Sequence, residues 1–444
     1  MSTTATDPRA GSDPYLPGHG DARYDVVHYD LSLGYKVEGN RLDGEATLTL
    51  RPLVAAEELH LDLHGLQVQK VSVDGRGQKA SHHHGRLVIR CAARPGQQLT
   101  VRVKYSGKPR PVRSRVLGGA GWEELEDGVI VAAQPHGAPS WFPCNDRPDS
   151  KATYSLSLSA PPDYTVAFSG ELRETRRRGN AVTWVYEQAV PMATYLATVQ
   201  IGRYELVEHP GTLVPVRSYV PARTDRAVLA ETFGRQPAML TFFSSLFGDY
   251  PFPSYTSVIT EDELEIPLES QGLSTFGRNL LDPAWESVRL IAHELSHQWF
   301  GNAVTLRRWQ DIWLHEGFAC YCEWLWAEES GVSTVQEEVD RHHGALAHLE
   351  QDDLLMVDPG PELMFDDQLY KRGALTLHAL RVEVGDAAFF EILRRWVREH
   401  RGGGVTTDMF LEHAQHVAGR DLSALFGAWL ERTALPPCPR RTGT

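Results

Sequence analysis

The feature that most constrains this chain's fold is a change of hydrophobic period part-way along it. Up to about residue 205, the segments HYDLSLGYKV, EATLTLRPL, ELHLDLHGL, RLVIRCAA, LTVRVKYSG, ATYSLSLSA, YTVAFSGEL and AVTWVYEQ alternate apolar with polar residues. Gly, Pro, Asp and Asn separate them. A period of two places one row of side chains on each face of a sheet, and many such segments in succession predict an all-β sandwich or saddle. From about Leu206 the apolar residues recur at helical spacing, in TDRAVLAETFGRQPAMLTFFSSLFG, AWESVRLIAHELSHQWFG, QDIWLHEGFACYCEWLWAEES and RGALTLHALRVEVG. A length of 444 residues exceeds what one ordinary core organises, so two domains are expected, 1–205 and 206–444. Asp282-Pro283 predicts a helix start, and Gly331 the end of the helix that follows Gln310.

Apolar content of 42% and charged content of 23% describe an ordinary globular chain. No apolar run approaches the ~20 residues of a membrane helix. The opening MSTTATDPRAGSDPYLPGHG lacks the basic-then-apolar pattern of a secretion signal, so a complete chain is expected to remain in the cytoplasm. A net charge of −14 disfavours nucleic acid or an anionic membrane as partner. The five cysteines (Cys91, Cys144, Cys320, Cys322 and Cys438) are odd in number and scattered, which predicts reduced thiols. His82-His83-His84 reads as a solvated loop, since no further ligand candidate lies beside it.

His293-Glu294-Leu295-Ser296-His297 places two histidines four residues apart inside a predicted helix, on one face and about one turn apart. On its own this pair could be two surface histidines. Glu316 supplies a third ligand candidate, with 18 residues between it and His297, on the next predicted helix, and NAVTLRRWQD leaves room for that helix to turn back. Two neutral imidazoles and one carboxylate leave Zn²⁺ with an open fourth position for water, the hydrolytic arrangement rather than the closed structural one. Glu294 is placed to act as general base on that water. Glu323, two turns beyond Glu316 on the same helix face, reads either as an orienting partner for a ligand or as a surface ion pair.

The segment HELSHQWFGNAVTLRRWQDIWLHEGFACYCEWLW resembles the metal region of the gluzincin aminopeptidases related to aminopeptidase N and leukotriene epoxide hydrolase. SLFGDYPFPSY, ARYDVVHYDLSL and QPHGAPSWFPCNDRPDSKATYSLSLS are similar to other parts of that family, so the resemblance runs from about Pro14 to about Pro437. It implies a β-saddle domain followed by a thermolysin-like α+β catalytic domain, mostly helical in its second half, with one zinc held by His293, His297 and Glu316. It implies that Glu269, 24 residues before His293, holds the free α-amine of a peptide. It further implies that Tyr370 hydrogen-bonds the developing oxyanion, and that Gln134 lines the amine and first side-chain pocket with Leu268 on its wall. Two stretches depart from the family. Ile266-Pro267-Leu268-Glu269-Ser270-Gln271-Gly272 stands where the family has G-A-M-E-N-W-G, and Tyr370 is followed by Lys371 where the family has an acid. The sequence ends at Thr444, where many members continue into a helical domain that covers the site, so a more open cleft is expected. The expected function is zinc-dependent removal of N-terminal residues from peptides. An endopeptidase, an epoxide-hydrolysing relative and an inactive binding scaffold are the alternatives.

Overall fold

The computed structural model describes residues 13–211, 214–351 and 353–440; the first twelve residues, on which the reading of the N-terminal segment partly rests, lie outside them. An eight-stranded sheet dominates the first half. At its centre Tyr24–Lys36 runs parallel to Lys151–Ala160 and antiparallel to Arg41–Pro52, with Leu31 opposite Leu156 and Leu33 opposite Leu158. The alternation read from sequence appears directly as burial. Tyr29, Leu31, Leu33 and Tyr35 all face the core, as do Leu48 and Leu50 of the neighbouring strand. Gly44 lies in the middle of that neighbour because a Cβ there would meet the Tyr105 ring at 2.6 Å. The ring crosses the strand at this point and its hydroxyl donates to the Trp141 carbonyl at 3.0 Å. A five-stranded sheet and a three-stranded sheet complete the β domain.

YTVAFSGEL is two strands rather than one. Thr165–Phe168 belongs to the five-stranded sheet and Glu171–Arg178 edges the eight-stranded one, so the chain changes sheets at Ser169-Gly170. The histidine run is also not a loop. His82 and His83 lie in the short strand Ala80–His83, paired with Arg86–Ala93, and the His82 ring is bonded to the Leu63 carbonyl.

Tyr204–His209 pairs along its whole length with Val216–Pro221, and parallel strands Tyr255–Ile259 and Leu273–Phe276 extend that sheet. The 205/206 division therefore falls inside a strand, where a period of two continues a few residues past the point at which helical spacing becomes legible. Beyond this sheet the chain is mostly helical. Trp285–Ser296 starts two residues after Asp282-Pro283, because the Asp282 carboxylate accepts from the Ala284 N–H and shapes the turn before the helix. Trp313–Glu329 ends as expected, with Gly331 at φ 74° just beyond its last turn. From Trp313 to Ala327 every residue of this helix is buried, so it is a central rod with no solvent face. All five cysteines are free, with Cys320 and Cys322 buried in that helix. Among the described residues, no helix is long and apolar enough to cross a membrane.

Candidate metal centre

His293 lies in the last turn of helix Trp285–Ser296 and His297 caps its C-terminus; Glu316 lies in the first turn of helix Trp313–Glu329. Both imidazole Nε2 atoms sit 3.5 Å from the same carboxylate oxygen of Glu316. A tetrahedral ion with bonds of about 2.0–2.2 Å sets its ligand atoms about 3.4 Å apart, so the spacing fits a shared cation. The outer nitrogens fix which lone pairs face inward. His293 Nδ1 donates to Glu323 at 2.6 Å and His297 Nδ1 donates to the Phe300 carbonyl at 3.0 Å. Both acceptors lack protons to give, so in its neutral form each ring carries its hydrogen on Nδ1 and presents a bare Nε2 to the centre. Glu323 is therefore an orienting partner, not a surface pair. It is buried, and its second oxygen accepts from Arg289 at 2.9 Å.

The charges of the site agree with this fit. Burial opposes a proton on His293, yet Glu316 and Glu323 push its pKa up to about 10; Glu316 and Glu269 likewise raise His297 to about 9 against its burial. Burial also opposes ionisation of Glu316, and the imidazoles overcome it, holding this carboxyl well below the usual range. Such a field draws positive charge into the interior. One divalent ion satisfies it with both imidazoles neutral. Among the described residues, no other cluster of His, Cys, Asp or Glu is arranged to hold a metal.

A cavity of about 390 Å³ opens over this centre. Gln134, Leu268, Glu269, Glu294 and Tyr370 all line it, together with the three ligand candidates His293, His297 and Glu316. Tyr370 is the fourth residue of helix Asp367–Val384, its ring 6.0 Å from that of His293 and nearly parallel to it. Its helix touches the Glu316 helix backbone to backbone: a Cβ on Gly317 would lie 2.7 Å from the Gly373 Cα. Lys371, standing where the family has an acid, acts on the far side of the ligand set. Burial opposes ionisation of Glu323, and Lys371, His293 and Arg289 together hold it well below the ordinary carboxylate range. The altered stretch is tied to its own sheet at two points, by Leu268 and by the Gly272 carbonyl, which accepts from the Thr256 N–H at 2.9 Å. Leu268 exchanges both main-chain bonds with Thr275 at 2.9 Å, and Pro267 has no N–H to offer. Sequence reading missed Arg289, although its place one turn before His293 is a signal that helical spacing carries.

The chain matches the peptidase M1 N-terminal domain over residues 26–196 and the peptidase family M1 domain over residues 232–429. Its fold is similar to the M1 zinc metallopeptidase of Deinococcus radiodurans, with a TM-score of 0.90 and 30% identity over 97% of this chain and 99% of that one. It is 27% identical to a glutamyl aminopeptidase of Bitis rhinoceros over 92% of this chain and 46% of the relative. It is 23% identical to a leucyl aminopeptidase of Saccharolobus solfataricus over 93% of this chain and 54% of the relative. The chain thus spans about half the length of these two curated relatives and nearly all of the Deinococcus structure. With two successive domains matched and a two-histidine, one-glutamate centre at the expected place, this chain belongs to peptidase family M1, whose metal is zinc.

Proposed function

We propose that this chain is a zinc-dependent aminopeptidase that removes the N-terminal residue from peptides. The observation that carries the reading is Glu269, a buried carboxylate on the wall of the metal cavity with no lysine or arginine paired to it among the described residues. Burying an unpaired carboxylate is costly, and a substrate's ammonium group is the partner that offsets it. Gln134 lines the same cavity, and its side-chain carbonyl oxygen is an acceptor for an ammonium. In this reading residues 1–205 supply Gln134 and residues 206–444 supply the rest. The names of the two aminopeptidase relatives point the same way, and a mutant of the Deinococcus metallopeptidase has been solved bound to a Tyr-Ser-Ala substrate.

His293, His297 and Glu316 hold the zinc, which when bound polarises the scissile carbonyl and lowers the pKa of water. Glu294 takes a proton from the attacking water and passes it to the leaving amine. Tyr370 donates a hydrogen bond to the oxygen on which negative charge develops. Glu269 and Gln134 fix the amine one residue from the reacting carbonyl, and Leu268 forms an apolar wall for the first side chain. Pro267 has no N–H and that of Leu268 is committed to Thr275, so substrate backbone gains no donor from these two residues. A cytoplasmic place of action completes the proposal, supported by five unpaired thiols. The test compares turnover of leucyl and other aminoacyl peptides with their N-acetylated forms. Cleavage confined to free N-termini is expected, and equal turnover of the blocked forms would make the chain an endopeptidase.

A further inference from the structure

The loop that follows the second histidine ligand does more than end the metal helix. Asn302 is fully buried, and its side-chain amide donates to the main-chain carbonyl of Glu269 at 2.5 Å. Gln298, one residue past His297, reaches the same segment twice, accepting from the Gly272 N–H at 2.8 Å and donating to the Ser270 carbonyl at 3.3 Å. The segment is tied elsewhere by the Leu268–Thr275 bridge, by the Gln271 N–H to the Leu196 carbonyl at 3.4 Å and by the Thr256 N–H to the Gly272 carbonyl at 2.9 Å, but none of these bonds falls on the Glu269 carbonyl that Asn302 holds.

The loop is held in turn from the β domain. Lys151 donates to the carbonyls of Asn302 at 2.9 Å and Ala303 at 3.1 Å, and no carboxylate pairs with it among the described residues. A lysine held only by carbonyls gives up much of its hydration for this position. The Asn302 N–H donates to the His297 carbonyl at 2.9 Å, so one residue is tied to a metal ligand, to the Glu269 main chain and to the opposite domain.

We propose that Asn302, braced by Lys151, is a positioning residue that sets where the Glu269 carboxylate stands relative to the metal, and so where a substrate's amine is held. This rests on the reading of Glu269 as the amine anchor. Its displacement should weaken ligands that carry the amine and spare those that lack it.

The test uses the zinc-loaded full chain and two probes of equal shape, L-leucine and 4-methylpentanoate, which differ only by the amine. Asn302→Ala should keep one zinc per chain and weaken L-leucine about three- to tenfold, the scale of one buried hydrogen bond, with 4-methylpentanoate within about twofold. For an aminoacyl substrate, KM should rise more than kcat falls. Lys151→Met, which leaves Asn302 in place but frees its loop, should shift the same ratio in the same direction by a smaller factor. It serves as the readout should Asn302→Ala not fold. Equal weakening of both probes, or loss of zinc, would mean a merely structural residue and overturn the inference. Glu269→Ala separates the two claims. If it abolishes the preference for L-leucine while the Asn302 and Lys151 variants keep it, the inference alone fails; if Glu269→Ala keeps the preference, the anchor reading fails first.

Discussion

Replacing Glu323 by alanine should loosen the zinc without removing a ligand. The carboxylate makes two contacts, accepting from His293 Nδ1 at 2.6 Å and from Arg289 at 2.9 Å. A hydrogen bond of this charged kind is worth about 1.5–3 kcal/mol, or roughly ten- to a hundredfold in an equilibrium. Losses of outer partners of metal-bound histidines fall in the same range. In Glu323→Ala the ring is free to turn and to move its proton to Nε2, which removes the lone pair the metal needs. Zinc affinity, measured by competition with a chelator, should therefore fall about ten- to a hundredfold, while Glu323→Gln, which keeps an acceptor for His293, should lose roughly three- to tenfold. The sign with pH follows from the proton competing with zinc. Against the cost of burial, Glu316 and Glu323 raise His293 to about 10, so removing Glu323 weakens proton binding as well as zinc binding. The deficit should be widest in alkali and narrow as pH falls, because the wild-type site then loses more affinity to protonation than the variant does. A folded Glu323→Ala protein that binds zinc as tightly as wild type would refute this account of how the ligand is oriented.

Glu294→Gln should retain stoichiometric zinc by metal analysis and lose at least about a hundredfold in kcat, since an amide cannot accept the proton. Glu316→Ala should lose metal and activity together, because it removes the charged member of the ligand set; unchanged zinc content would displace Glu316 from that set. Tyr370→Phe should cost about 10²–10³ in kcat with little change in KM, the pattern of a donor that acts only as charge develops. A change confined to KM would make the tyrosine a substrate contact instead.

What was legible in the sequence was whatever local spacing encodes. His293 and His297 announce themselves because four residues make a helical turn, and the burial of Leu31 and Leu33 follows from a period of two. Glu316 was legible because its helix is the next one along. Glu323 showed its position but not its role, since the same spacing serves an ion pair or a ligand partner until His293 Nδ1 is seen 2.6 Å away. Contacts between distant segments left no trace. Nothing in KATYSLSLS says that Tyr24–Lys36 lies parallel to it, or that Lys151 reaches carbonyls about 150 residues later. His82 was misread for a related reason. A polar edge strand takes its identity from the partner it pairs with, and that partner was not visible in the run itself.

The glycine contact between the helices of Glu316 and Tyr370 has a consequence for how far this site can drift. Because Gly317 and Gly373 meet through their main chains, the gap between ligand and hydroxyl is set by a hard stop that no side chain adjusts. The residues around Tyr370 are released from keeping that distance and are free to take on other work. Lys371 illustrates this freedom, with a cation standing where relatives carry an acid and now steadying Glu323. A methyl group on either glycine would instead wedge the two rods apart, and every neighbouring substitution that the stop now tolerates would begin to matter.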